Sequence, residues 1–167
     1  MRFRASKWIE FDAAHRVPAH SSKCRNLHGH RYRVEAVVEG PLHAQGSETG
    51  MVADFGQIKT RLVEVVHARM DHATMLWVKD PFAELLASRE WVMQAAAAMA
   101  QGEPDVTVDV AHAGKIILLP CVPTAEELAR HWFAQIKLKL DDDYKGLVRL
   151  AQVVVHETPT SSARFEG

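Results

Sequence analysis

Apolar and polar residues alternate through most of the first forty positions of the chain. Ile9, Phe11, Ala13, His15 and Val17 share one parity, whereas Trp8, Glu10, Asp12 and Arg16 are prominent on the other. The pattern resumes with His28, His30, Tyr32, Val34, Ala36 and Val38 on one side, opposed by Arg31, Arg33, Glu35 and Glu39. Successive side chains of a strand point to opposite faces, so two strands are predicted, each with one face toward the core. Paired, they turn the stretch from Phe11 to Tyr32 into one hairpin.

Gly40 to Gly50, with its Gly, Pro, Ser and Thr, reads as a connection, and the period then changes to that of a helix. Asp54 can cap this helix and Gln57 stands at its third position. Phe55, Ile58, Leu62, Val65 and Val66 form its stripe, which ends near Arg69. A second helix is announced by Thr124 with Glu127 three residues later, and by Leu128, Trp132, Ile136 and Leu140. Between them, Asp80-Pro81 starts an inserted helix through Phe82, Leu85, Leu86 and Met93 into Ala95–Ala100, ended by Gly102 and Pro104. Val106–Val110 and Lys115–Leu119 read as a hairpin closed by Ala111–Gly114. Leu147 to Glu157 reads as a further strand whose Val153–Val155 core suggests burial on both faces, as at a subunit interface or in a barrel wall. Val153, Val155 and Glu157 share a face; Thr158–Ser162 is a turn, and Ala163–Phe165 a last short strand. The sum is an α+β fold, an antiparallel sheet with two main helices on one face and an inserted helical segment.

Composition sets outer limits. At 167 residues and 47% hydrophobic, the chain suits one domain, residues 1–167, and no repeat or linker divides it. Lys plus Arg number 20 against 21 Asp plus Glu, so a general binder of nucleic acid or anionic membranes is excluded and any anion site must be local. Charges from Arg2 onward and the lack of any apolar run of membrane-spanning length lead to the expectation of a cytoplasmic protein. Two cysteines, Cys24 and Cys121, make no disulfide framework, and a reducing compartment leaves Cys24 a usable thiol.

The parity carries the chemistry. His15, His28 and His30 all face inward, and three neutral imidazoles with an open position suit catalytic zinc. The same residues also permit a closed Cys-His-His-His site with Cys24 as fourth ligand, a non-enzymatic zinc module. Asp71 beside His72 could orient and charge an imidazole. Glu157 is either a surface carboxylate at a strand end or a group that holds an amino-pyrimidine ring by paired hydrogen bonds. Asp141–Asp143 reads as a solvated helix end.

Phe11–His15 followed by Cys24-Arg-Asn-Leu-His28-Gly-His30 resembles the signature of the 6-pyruvoyl-tetrahydropterin synthase and 6-carboxytetrahydropterin synthase family. The Cys-x-x-x-His-Gly-His spacing is similar to that of the carboxy branch. Gly50-Met-Val-Ala-Asp54-Phe, Asp71-His72, Pro123-Thr124-Ala125-Glu126 and His156-Glu157-Thr-Pro-Thr-Ser follow in the family's order. The resemblance implies a tunnelling fold (T-fold) assembled into a β barrel, as a homo-oligomer, commonly a hexamer of two trimers. It implies zinc on His15, His28 and His30, Cys24 as a proton-transfer thiol, Asp71 and His72 as a relay, and Glu157 as the pterin anchor. It further implies conversion of 7,8-dihydroneopterin triphosphate to 6-carboxy-5,6,7,8-tetrahydropterin, acetaldehyde and triphosphate in queuosine precursor synthesis. Pyruvoyl-tetrahydropterin synthesis from the same substrate is the alternative. Lys23, Arg25 and Arg16 are candidates to hold the triphosphate. The segment from about Trp77 to His112 is longer than in compact members, and is read as decoration or oligomer interface ahead of a lid.

Overall fold

In the computed structural model, which describes residues 1–167, β1 (Phe3–His15) and β2 (His28–Gly40) pair antiparallel from Phe3 opposite Gly40 to His15 opposite His28. The alternation therefore becomes two faces. Ile9, Phe11, Ala13, Tyr32, Val34, Ala36 and Val38 are buried, while Trp8, Glu10 and Arg31 lie exposed on the far side. β6 (Arg149–Thr158) adds to β2, and β7 (Ser161–Glu166) to β6, both antiparallel. With β3 (Thr74–Trp77), β4 (Val106–Val110) and β5 (Gly114–Leu119) they form one seven-stranded sheet in the order β4-β5-β3-β1-β2-β6-β7.

Two main helical segments cover the inner face. α1 (Phe55–Leu62) starts where the Asp54 carboxylate accepts the Gly56 N–H at 2.6 Å, and runs through a π-helical turn (Val63–His67) into α2 (Ala68–Met70). Ile58, Leu62, Val65 and Val66 are buried as the stripe predicts, but Phe55, in the first turn, is 56% exposed. The second main helix is Ala125–Tyr144, whose cap is Thr124 Oγ1, an acceptor for the Glu127 N–H at 3.4 Å. It buries Leu128, Trp132, Ile136 and Leu140. Its acidic end is less solvated than expected: Asp143 accepts the Arg61 Nε–H at 2.7 Å and ties the helix to α1. No helix is long and apolar enough to cross a membrane.

Two further expectations need correction. The sheet is mixed, because β3 runs parallel to both β1 and β5. At four residues, with Met75 and Leu76 buried on opposite faces, it has no alternation to betray it. The inserted helix is two, α3 (Pro81–Ala87) and α4 (Arg89–Ala100), broken at Ser88, whose φ of 77° no helix accepts. Its core face is also different: Leu85 and Met93 are exposed, and Ala83, Ala87, Val92 and Ala95 pack against Leu76, Ile116 and Leu118. The expected burial of β6 on both faces is present: Val153 and Val155 are fully buried and Val154 is 6% exposed.

The insertion covers the outer sheet face only at the β3-β4-β5 end, and two buried carboxylates fasten it. At its start Asp80 Oδ1 accepts the Phe82 N–H at 3.0 Å and Oδ2 lies 3.3 Å from Arg16 Nε, whose guanidinium stands 5.0 Å above the Phe82 ring. At its end Asp105 pairs with Arg69 and lies 3.1 Å from His131 Nε2.

Candidate metal centre

The three histidines meet at the open mouth of the β1–β2 hairpin. His15 and His28 stand directly opposite each other, and His30, opposite Ala13, is one step further in on the same face. Their rings lie 4.6, 4.9 and 5.2 Å apart, and one ring nitrogen from each falls within 4.8 Å of the others. Below them Tyr32 stacks on Phe11 at 5.4 Å and meets the His15 and His30 rings edge-on, so the imidazoles rest on a packed aromatic floor.

Two backbone carbonyls decide which nitrogen faces inward. His15 Nδ1 lies 2.7 Å from the Pro123 carbonyl and His28 Nδ1 lies 2.8 Å from that of Asn26. A carbonyl only accepts, so each Nδ1 carries its proton and each Nε2 presents a lone pair. Burial pushes the His15 pKa down, more than the Pro123 carbonyl and Glu157 restore it, and burial also lowers His30, against the opposing pull of Glu157 and with the nearness of His28 adding to the effect. Both shifts favour the neutral ring of His15 and of His30. The Nε2 atoms of His15 and His30 are buried without a hydrogen-bond partner, and His15 Nε2 lies 3.3 Å from Glu157 Oε1. Two acceptors thus confront each other, an arrangement that calls for a cation between them or for a ligand that draws the carboxylate away. Three imidazoles around shared space suit zinc and its first-row neighbours. Cys24 is not part of the group whose ligand atoms converge.

Glu157 arrives here through an irregularity. The β6–β7 register shifts between His156 and Thr158, a bulge that re-aims the intervening side chain. Cys24 sits on a short 3-10 turn (Lys23–Arg25), its carbonyl accepting the Val17 N–H at 2.8 Å. The half-buried thiol lines a cavity of about 220 Å³ with His15, His20, Thr124, Glu126 and Glu157. Cys121 is elsewhere, its thiol pushed up to about 11 chiefly by burial.

Asp71 and His72 are not brought to that thiol within one chain. The Asp71 carboxylate accepts the Asp12 N–H at 3.2 Å and lies 3.0 Å from His72 Nδ1, and the His72 N–H donates to the Asp12 carbonyl at 2.7 Å. Burial works to raise the Asp71 pKa, but the bonds from His72 and the Asp12 amide together hold it below the usual carboxylate value. His72, at φ 58° and 78% exposed, opens on a separate cavity of about 510 Å³ with Asp12, Arg31 and the edge of His30. The carbonyls of Pro123 and Asn26 escape any reading of side-chain types. Their one signal is position: Pro123 opens a quoted family motif and Asn26 stands two residues before His28.

The family model described as 6-pyruvoyl tetrahydropterin synthase matches residues 4–167. The chain is 30% identical over 164 residues to the 6-carboxy-5,6,7,8-tetrahydropterin synthase of Haemophilus influenzae, covering 98% of this chain and 99% of that one. It is 32% identical over 158 residues to the protein of the same name from Rickettsia bellii, covering 93% and 94%. Among solved structures, an uncharacterized protein of Wolinella succinogenes superposes with a TM-score of 0.74 at 20% identity, covering 100% of this chain and 99% of that one. The 6-pyruvoyl tetrahydropterin synthase of Caenorhabditis elegans superposes at 0.61 and 21% identity, covering 100% and 96%, and both likenesses bear on the fold alone. The match across residues 4–167, together with relatives of 30% identity or more along nearly the whole chain, places this protein in the 6-pyruvoyl tetrahydropterin synthase family.

Proposed function

We propose that this protein is a zinc-dependent carbon-carbon lyase. It converts 7,8-dihydroneopterin triphosphate to 6-carboxy-5,6,7,8-tetrahydropterin, acetaldehyde and triphosphate, a step of queuosine precursor synthesis in the cytoplasm. The observation that carries the reading is the converging trio of His15, His28 and His30, with Glu157 and Cys24 opening on the same side. The relatives named 6-carboxy-5,6,7,8-tetrahydropterin synthase favour this product over the 6-pyruvoyl one. A closed structural module is less well supported, since Cys24 stands outside the ligand group and no such module needs Glu157.

His15, His28 and His30 would hold the zinc, which when bound supplies a Lewis acid for substrate oxygens. Glu157 accepts from adjacent ring donors of the pterin and fixes its orientation. Cys24, in the cavity shared with Glu157, moves protons at the side-chain carbons during rearrangement and cleavage. His72, oriented by Asp71, supplies or drains those protons. Because His72 and Cys24 open on different cavities of one chain, they cooperate only if another copy brings its dyad to the thiol. A homo-oligomer, a hexamer of two trimers, meets that need.

Mass spectrometry of the products from 7,8-dihydroneopterin triphosphate and zinc-loaded protein tests the reading. The 6-carboxy product with acetaldehyde is expected. A 6-pyruvoyl product gives the alternative, and no consumption of substrate defeats both.

A further inference from the structure

Beside the histidines the sheet opens. β2 and β6 pair from Glu39 opposite Arg149 as far as Arg33 opposite His156, and then part. The gap is a cavity of about 550 Å³ lined by no hydrophobic residue, and Arg33, His156, Arg31 and Glu10 share it with His30 and Glu157 of the metal site. Three arginines stand near the metal site, and two are occupied. Arg16 is held by Asp80, and Arg31 donates to both Asp12 oxygens at 3.1 and 2.9 Å. Arg33 joins no ion pair; its guanidinium lies 4.6 Å above the Trp8 ring, and its Nε, like that of Arg16, is buried without a hydrogen-bond partner. Glu10, although opposite Arg33 on β1, does not pair with it.

A guanidinium that sits over an aromatic ring and joins no ion pair has N–H groups left over, and their fork fits a bidentate oxyanion. From this we infer that Arg33, with His156 beside it, is the subsite for the phosphate chain of a polyphosphorylated ligand. The placing of that ligand's ring end at Glu157 rests on the pterin reading above. Lys23 and Arg25 are thereby displaced from this role, being exposed on the turn beside the Cys24 cavity, and Arg16 is excluded by its ion pair with Asp80.

The test is calorimetric titration of sodium tripolyphosphate into the zinc-loaded protein, and into its R33Q, R33K, R31Q and H28A variants. R33Q should weaken binding by roughly tenfold or more, the usual scale for losing a charge-assisted contact. R33K should lose less than R33Q, and R31Q less than about twofold, since that side chain is already paired. R33Q should also raise KM for dihydroneopterin triphosphate while leaving the affinity for unphosphorylated dihydroneopterin, read by the same titration, unchanged. Absent binding in the parent or unchanged affinity in R33Q overturns the inference. So does an equal loss in R31Q, which means diffuse attraction, or a loss confined to H28A, which puts the phosphates on the metal. The titration needs no turnover, so it reads Arg33 even if the pterin reading fails. Normal turnover with unchanged KM in R33Q would sink the subsite and leave that reading standing.

Discussion

Three polar side chains are buried in this chain, and they divide between two regions. Asp80 and Asp105 fasten the insertion, and each faces a cation: Arg16 for the first, Arg69 for the second, with His131 alongside. His15, in the hairpin mouth, has a satisfied Nδ1, but its Nε2 confronts the Glu157 carboxylate, lone pair against lone pair. The burial is alike, and only the partners differ. A buried charge with its counter-charge closes a structure, whereas a buried acceptor without a donor costs about 1–3 kcal/mol and is retained where a ligand completes it. The insertion is thus a braced annex, and the hairpin mouth is the region whose acceptors are arranged for a ligand.

That contrast is open to attack from both sides. The largest effect is expected from His28→Ala or His30→Ala: purified protein should carry about one zinc per chain, and either change should abolish its retention. Full occupancy in both variants, read by metal analysis, would erase the difference between the two regions. Next comes Glu157→Gln, which replaces a two-fold acceptor by an amide with one wrong-handed group and should weaken substrate binding by about 2–3 kcal/mol. Zinc affinity should move far less, and an unchanged Michaelis constant would return Glu157 to the surface.

Asp105→Ala attacks the annex. It strands Arg69 and His131, and because Arg69 is partly exposed the expected loss is about 2 kcal/mol, below that of a fully buried pair. Thermal melting should drop while zinc content holds. Loss of zinc instead would show that the annex supports the metal ligands.

The smallest effect concerns pH in the metal-free protein. Burial holds His15 and His30 below the ordinary imidazole value, so the unfolded chain takes up protons near about 6.5 where the folded one does not. The stability they contribute is complete above that value and is lost as pH falls through it toward the depressed folded values. Melting midpoints across that range should therefore fall with acidification. A rise would mean that His15 is protonated against Glu157, and the lone-pair confrontation would vanish.

Much of this was legible in residue order. Parity alone put His15, His28 and His30 on one face, because a long antiparallel hairpin transmits a period of two without loss. Capping chemistry gave the starts of both main helices at Asp54 and Thr124. What parity missed has physical reasons. Four-residue β3, buried on both faces, carries no period, and its pairing with β1 is a contact between distant segments. The Ser88 break divides a run of good helix formers, and small Ala83, Ala87 and Ala95, rather than larger Leu85 and Met93, turn inward. The fixing of each Nε2 depends on carbonyls of Pro123 and Asn26, and backbone groups have no letter in a sequence. Glu157 followed the predicted face only loosely, since a bulge aims it.

The central claim is that the metal site is open, held by three imidazoles with Cys24 outside the ligand set. One variant, Cys24→Ala, examined for zinc content, melting and product together, tests it most directly. An open site predicts zinc near one per chain, a melting transition like the parent's, and turnover reduced by at least ~100-fold, the lower range for removing a positioned acid or base. Loss of zinc together with collapse of the melting transition would mean that the sulfur closes a four-ligand structural site, and would contradict the claim.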